Sequence, residues 1–138
     1  MKLLKCYEDR IKDKEFVESF NSLAKDIHNT ADKNGFWDDD KKIDNILENE
    51  FKDEVIQMKN GLIISLMHSE LTEVLEAFRN GNPQDDKCPE FKNSTIELAD
   101  CIIRIIDFAE ARGLRLGEAI IAKNKFNKSR PYKHGKEF

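Results

Sequence analysis

The stretch Ser94-Thr95-Ile96-Glu97-Leu98-Ala99-Asp100-Cys101-Ile102-Ile103-Arg104-Ile105-Ile106-Asp107-Phe108-Ala109 decides the fold. Wound at 3.6 residues per turn, Ile96, Leu98, Ala99, Ile102, Ile103, Ile105, Ile106 and Ala109 spread over about half of the helical circumference or more. Glu97, Asp100, Arg104 and Asp107 fall in one narrow stripe on the remaining arc. A helix this apolar is expected to be mostly buried. Its charged stripe then faces solvent, or faces something positive inside the fold.

Upstream, a second helix carries the same conflict. Met67, Glu70, Val74 and Phe78 lie along one helical row, and Leu66, Glu73 and Ala77 share the next. Glu70 and Glu73 are three apart, so they sit on adjacent turns of one face. Both interrupt a side that should face a core. The spacing alone decides little. With 27 acids among 138 residues, about five acidic i,i+3 pairs arise by chance. Glu97 also completes a capping box with Ser94, and Glu70 and Glu73 read equally as a solvated face. Against these readings stands the cost of burying carboxylates that are neither paired nor metal-bound. Two acidic pairs on successive helices can meet across an antiparallel packing. Four carboxylates with no Cys or His form a hard oxygen site, suited to Mg2+ or Mn2+ rather than zinc. Mg2+ completes its shell with water and substrate phosphates, so such a cluster suits a phosphate substrate.

Helical periodicity extends almost throughout. Phe16, Phe20, Leu23, Ile27 and Ala31 mark one face of a first helix that fades near Asn34-Gly35. Asp38-Asp39-Asp40 offers N-caps for a short helix through Ile43, Ile46 and Leu47. A longer helix is expected from Lys52 to Arg79, with a break at Asn60-Gly61, ending at Asn80-Gly81-Asn82-Pro83. Residues 80–93 read as a loop. Ser94 opens the next helix, which stops at Arg112-Gly113, and a last helix runs from Leu116 to Asn127 before an irregular tail from Pro131 to Phe138. The expected fold is all-α, an antiparallel bundle of four to five helices in one domain of 138 residues.

Composition narrows the partners. A net charge of −4 with mixed signs fits neither non-specific nucleic-acid binding nor a membrane surface. The apolar patch from Leu62 to Met67 is too short to span a bilayer. The Met1–Lys5 start runs into Glu8-Asp9-Arg10 without the apolar stretch of a signal peptide. Cys6, Cys88 and Cys101 are far apart and form no metal spacing, which suggests free thiols in a reducing cytoplasm.

Glu70-x-x-Glu73, a spacer, then Glu97-x-x-Asp100 resembles the signature of the all-α nucleoside triphosphate pyrophosphohydrolases, the MazG-like superfamily. Leu66 to Glu73 is similar to that family's first metal helix, and Glu97 to Asp107 to its second. Gly35-Phe36-Trp37-Asp38 and Arg130-Pro131-Tyr132-Lys133-His134-Gly135 resemble segments of a branch common in phages and bacteria. The resemblance covers about residues 27–135. It implies hydrolysis of an NTP or dNTP between its α and β phosphates, giving pyrophosphate and a nucleoside monophosphate. It implies that Glu70, Glu73, Glu97 and Asp100 hold Mg2+, with Mn2+ as a substitute. It also implies a homodimer or higher homo-oligomer. Glu73 is the expected general base. Lys123, Asn127 and Arg130, at i, i+4 and i+7, are expected to clamp pyrophosphate, unless they only complement the helix end. Arg104 is expected to pair with Asp100 or Asp107, or to reach phosphate. Trp37 is expected to stack on a nucleobase or to anchor its loop on the core. His28 and His68 read as packed or capping residues, and His134 as solvated.

Two rivals remain. A ferritin-like di-iron bundle wants Glu-x-x-His on two helices, and no such pair occurs in the chain. A non-catalytic helical interaction module would use the acidic stripe to bind a basic partner. It would gain no thermal stability from Mg2+ plus nucleotide.

Overall fold

The helical periodicity is realised as a chain of helices. The computed structural model describes the backbone of residues 2–46 and 49–131, and the side chains of residues 9–43 and 51–131. The elements are α1 (Lys2–Lys33), α2 (Asp38–Ile46), α3 (Asn49–Arg79), α4 (Asn93–Ala111) and α5 (Leu116–Lys128). Among the described residues no strand forms; residues Gln84 and Lys92 make one isolated antiparallel bridge inside the loop. No described helix is long and apolar enough to cross a membrane. Leu47, His134 and most of the expected tail lie outside the described residues.

The helix ends follow local chemistry. Gly35 takes a φ of +82°. Its N–H bonds to the Asp32 carbonyl at 3.0 Å, and the Phe36 N–H to the Ala31 carbonyl at 3.1 Å. This satisfies the last carbonyls of α1 and turns Phe36 and Trp37 back towards the bundle. Asp38, Asp39 and Asp40 fill the first turn of α2, where negative charge suits the helix dipole.

Two boundaries differ from expectation. α3 runs unbroken through Asn60-Gly61. One interior glycine costs about 1 kcal/mol against alanine, too little to interrupt a helix of 31 residues packed along its length. The second difference concerns Ser94. The N-cap of α4 is Lys92, with no side-chain cap bond, so the Ser94–Glu97 capping box does not form. The Ser94 N–H is held by the Asn82 side chain at 3.0 Å. Asn82 reaches it from a left-handed conformation, φ +49°. Glu97 is thereby left free for another role.

α3 and α4 form the central antiparallel pair. Asn60 meets Arg112 and, further along α3, Met67 meets Cys101 nearer the start of α4, so one helix descends as the other rises. α1 packs on α4 and α5, and α2 on α3. Gly117 lets α5 approach α1: a Cβ there would stand 3.1 Å from the Phe20 ring.

The core is thin. Ala24, Trp37, Ala77, Cys101, Ile106 and Ala109 are its buried apolar residues. The expectation that α4 is mostly buried fails for the single chain. Only one side of α4 meets α1 and α3, and Leu98, Ile102 (55% exposed), Ile103 and Ile105 stay in solvent. On α3, Leu62, Leu66, Leu71, Leu75 and Phe78 (61%) are likewise exposed.

Candidate metal centre

Across the α3–α4 interface, Glu70, Glu97 and Asp100 each bring one carboxylate oxygen within 4.8 Å of the others. Glu70 comes from the last third of α3 and is 6% exposed. Glu97 and Asp100 come from successive turns of α4 and are progressively more open. Glu73, one turn along α3, is exposed and lies outside this tight group.

The electrostatics are those of crowded like charge. Burial pushes the Glu97 carboxyl above its ordinary range, and the negative charges of Glu73, Asp100, Glu70 and Asp85 push it further. Glu73 is therefore near enough to act on the cluster through its field. Asp85 is a contributor that sequence reasoning missed. It is buried in the 80–93 loop, and its Oδ1 accepts the N–H groups of Lys87 (2.9 Å) and Cys88 (2.7 Å). Its local signal is a short-range turn, which says nothing about proximity to Glu97.

Among the described residues, one cation is bonded to this group. The Arg104 Nε–H donates to Glu70 Oε1 at 2.6 Å. Arg104 thus bypasses Asp100 and Asp107, the acids of its own helix expected to pair with it. Asp107 is engaged elsewhere, by His28 Nδ1 at 2.6 Å and by the Trp37 indole N–H at 3.0 Å to each oxygen. The His28 and Trp37 rings meet edge to face at 5.5 Å. Trp37 is 7% exposed, with the Arg112 guanidinium 5.2 Å and the Lys59 ammonium 5.8 Å from its ring centroid. These contacts anchor the turn on the bundle. The neighbouring Phe36, 67% exposed, presents its ring to a cavity of about 220 Å³. Ala31, Asp100, Ile103, Arg104 and Asp107 complete the cavity lining. The cavity and the carboxylate group share Asp100.

The basic ending of the chain stands apart. α5 packs against α1, with Lys125 paired to Asp13. Lys123 and Arg130 lie over the Phe126 ring at 4.9 and 5.8 Å, and Lys123 and Asn127 line a shallow groove on α5 itself. None of the three has a described contact with the acidic group.

The donor set fits a hard divalent cation in kind: oxygen only, three carboxylates each with an oxygen within 4.8 Å of the others, grading from buried to exposed. Comparisons with protein-family models, with curated proteins and with solved structures return no match.

Proposed function

We propose that this chain is a Mg2+-dependent nucleoside triphosphate pyrophosphohydrolase of MazG-like type. The observation that carries the reading is the convergence of Glu70, Glu97 and Asp100 from two helices into one group of oxygens. Sequence resemblance supplies the reaction class. Glu70, Glu97 and Asp100 would hold the metal, and Mn2+ would substitute. When bound, such ions neutralise charge on phosphate oxygens and lower the pKa of a coordinated water.

The chain's own groups supply the rest. Glu73, exposed beside the cluster, would take the proton of the attacking water. The water oxygen would bond to the α-phosphorus, the bond from that phosphorus to the α–β bridging oxygen would break, and pyrophosphate would leave with that oxygen. The cavity beside Asp100 has room for a nucleobase, and Phe36, which lines it, would supply the stacking surface first expected of Trp37. Lys123, Asn127 and Arg130 enter as phosphate ligands through the resemblance alone.

The reading includes a second copy of the chain. Leu62, Leu66 and Leu75 of α3 and Ile102, Ile103 and Ile105 of α4 are exposed and would supply the apolar face of that contact. A standard interface removes about 800 Å² per partner.

The test is incubation with a panel of NTPs and dNTPs, in Mg2+ and in EDTA, with products identified. Metal-dependent release of pyrophosphate and a monophosphate supports the reading. Orthophosphate release assigns a different phosphohydrolase. Folded protein that turns over nothing returns the acidic stripe to an interaction module.

A further inference from the structure

Arg104 occupies an unusual position. It sits on α4 four residues after Asp100 and three before Asp107, spacings at which helical ion pairs form. It uses neither. Its described partner is Glu70, 34 residues away, at 2.6 Å. Glu70 is the most buried member of the carboxylate group, and a cation entering that group needs the same carboxylate. The Arg104 side chain is 39% exposed and also lines the cavity next to Asp100. It is thus held on the boundary between the metal ligands and the space for a nucleotide.

We infer that Arg104 is an exchangeable internal counter-ion of Glu70: it competes with the divalent cation for this carboxylate, and on release offers its guanidinium to the phosphates of the nucleotide. The inference rests on the pyrophosphohydrolase reading and deepens it. No bond is made or broken. One ion pair, guanidinium to carboxylate, is replaced by two, cation to carboxylate and guanidinium to phosphate. A guanidinium fork matches phosphate oxygens as well as it matches carboxylate. Arg104 is therefore a positioning residue for Glu70 in the absence of substrate. The exchange links the two binding events, because nucleotide captures the group that opposes the metal.

The sign of one measurement separates this role from a structural one. Mn2+ alone is titrated into wild type, Arg104→Gln and Arg104→Lys, with free Mn2+ read by electron paramagnetic resonance. Exchange requires Arg104→Gln to bind Mn2+ about tenfold more tightly, since a competing positive charge is gone. Arg104→Lys keeps the charge and stays within about twofold of wild type. On the nucleotide that wild type hydrolyses, Arg104→Gln raises KM while kcat changes less. A purely structural ion pair gives the opposite: Arg104→Gln loosens Glu70 and binds Mn2+ equally or more weakly, which overturns the inference. Wild type that binds no Mn2+ at all overturns the metal reading beneath it, a distinguishable failure. A readout on wild type covers the case in which Arg104→Gln does not fold. The Arg104 Nε–H resonance, assigned with Arg104→Lys, should lose its solvent-exchange protection on addition of Mg2+; protection that persists at saturating Mg2+ contradicts the exchange.

Discussion

The two ends of the α3–α4 pair solve the problem of buried charge in opposite ways. At one end Glu70, Glu97 and Asp100 crowd together, with Arg104 as the cation bonded to the group. At the other, a single acid meets two cations. Asp40 of α2 pairs with Lys59 of α3, and Arg112 beyond α4 donates to Asp40 Oδ2 at 2.6 Å and to Asn60 at 2.7 Å. Burial works to raise the Asp40 carboxyl, but the hydrogen bonds and charges of Lys59 and Arg112 outweigh it and hold the group below its ordinary value. At the acidic end burial and like charge act together, and Glu97 goes up. At the basic end opposite charges meet within the chain, although the Arg112 Nη2 group is buried without a hydrogen-bond partner. Among the described residues, the acidic end keeps more negative charge than the bonded Arg104 balances.

Substitutions can break that contrast, and the largest effect is expected at the acidic end. Glu70→Gln or Asp100→Asn should lower metal-dependent pyrophosphate release on the order of 1,000-fold, roughly 4 kcal/mol of transition-state stabilisation, while circular dichroism still reports a folded helical chain. Unfolding would instead give these carboxylates a structural role. Next comes the apolar flank between the ends. Ile102→Glu should weaken self-association about 100-fold by burying a charge in the interface, which sedimentation velocity across a concentration series would register. A wild type that is already monomeric at high concentration would remove the second copy.

At the basic end, Asp40→Asn leaves two partly buried cations short of their acid and should cost about 2 kcal/mol of stability in urea unfolding. Activity of the folded fraction should be unchanged. The pH dependence has a defined sign. The Asp40 contribution is present above the ordinary value of 3.8 and is lost as pH falls through the lower folded value, so Asp40→Asn should flatten the acid limb of the stability profile.

The smallest effect has the opposite sign. Glu97 is raised above 4.5, so its favourable contribution is full below that pH and disappears as pH rises through the folded value. At pH 7 in EDTA, Glu97→Gln should therefore raise the melting temperature, by about 2–4 °C. A fall would mean that Glu97 is already compensated by a partner.

Helix periodicity made α4, α5 and the end of α1 legible to within a residue or two, because each repeats an apolar face; the start of α1 at Lys2 was not legible, since that face begins at Phe16. Glu97 and Asp100 were legible as a stripe for the same reason. What the sequence could not show were contacts between distant positions. Arg104 reaches Glu70 across 34 residues, His28 reaches Asp107 across 79, and Arg112 reaches Asp40 across 72. No local pattern records such pairs. Trp37 and Phe36 illustrate the limit on one turn. Both are adjacent aromatics after Gly35, and only the direction of that turn decides that Trp37 goes inward to Asp107 while Phe36 faces the cavity.

The most direct measurement is a phosphorus-31 NMR time course of an NTP and dNTP mixture with wild type and with Glu97→Gln, in Mg2+ and then in EDTA. The expected result is growth of pyrophosphate and monophosphate signals with wild type in Mg2+ only. Pyrophosphate formed by Glu97→Gln at the wild-type rate, or orthophosphate as the first product, would contradict α–β hydrolysis at the carboxylates of α3 and α4.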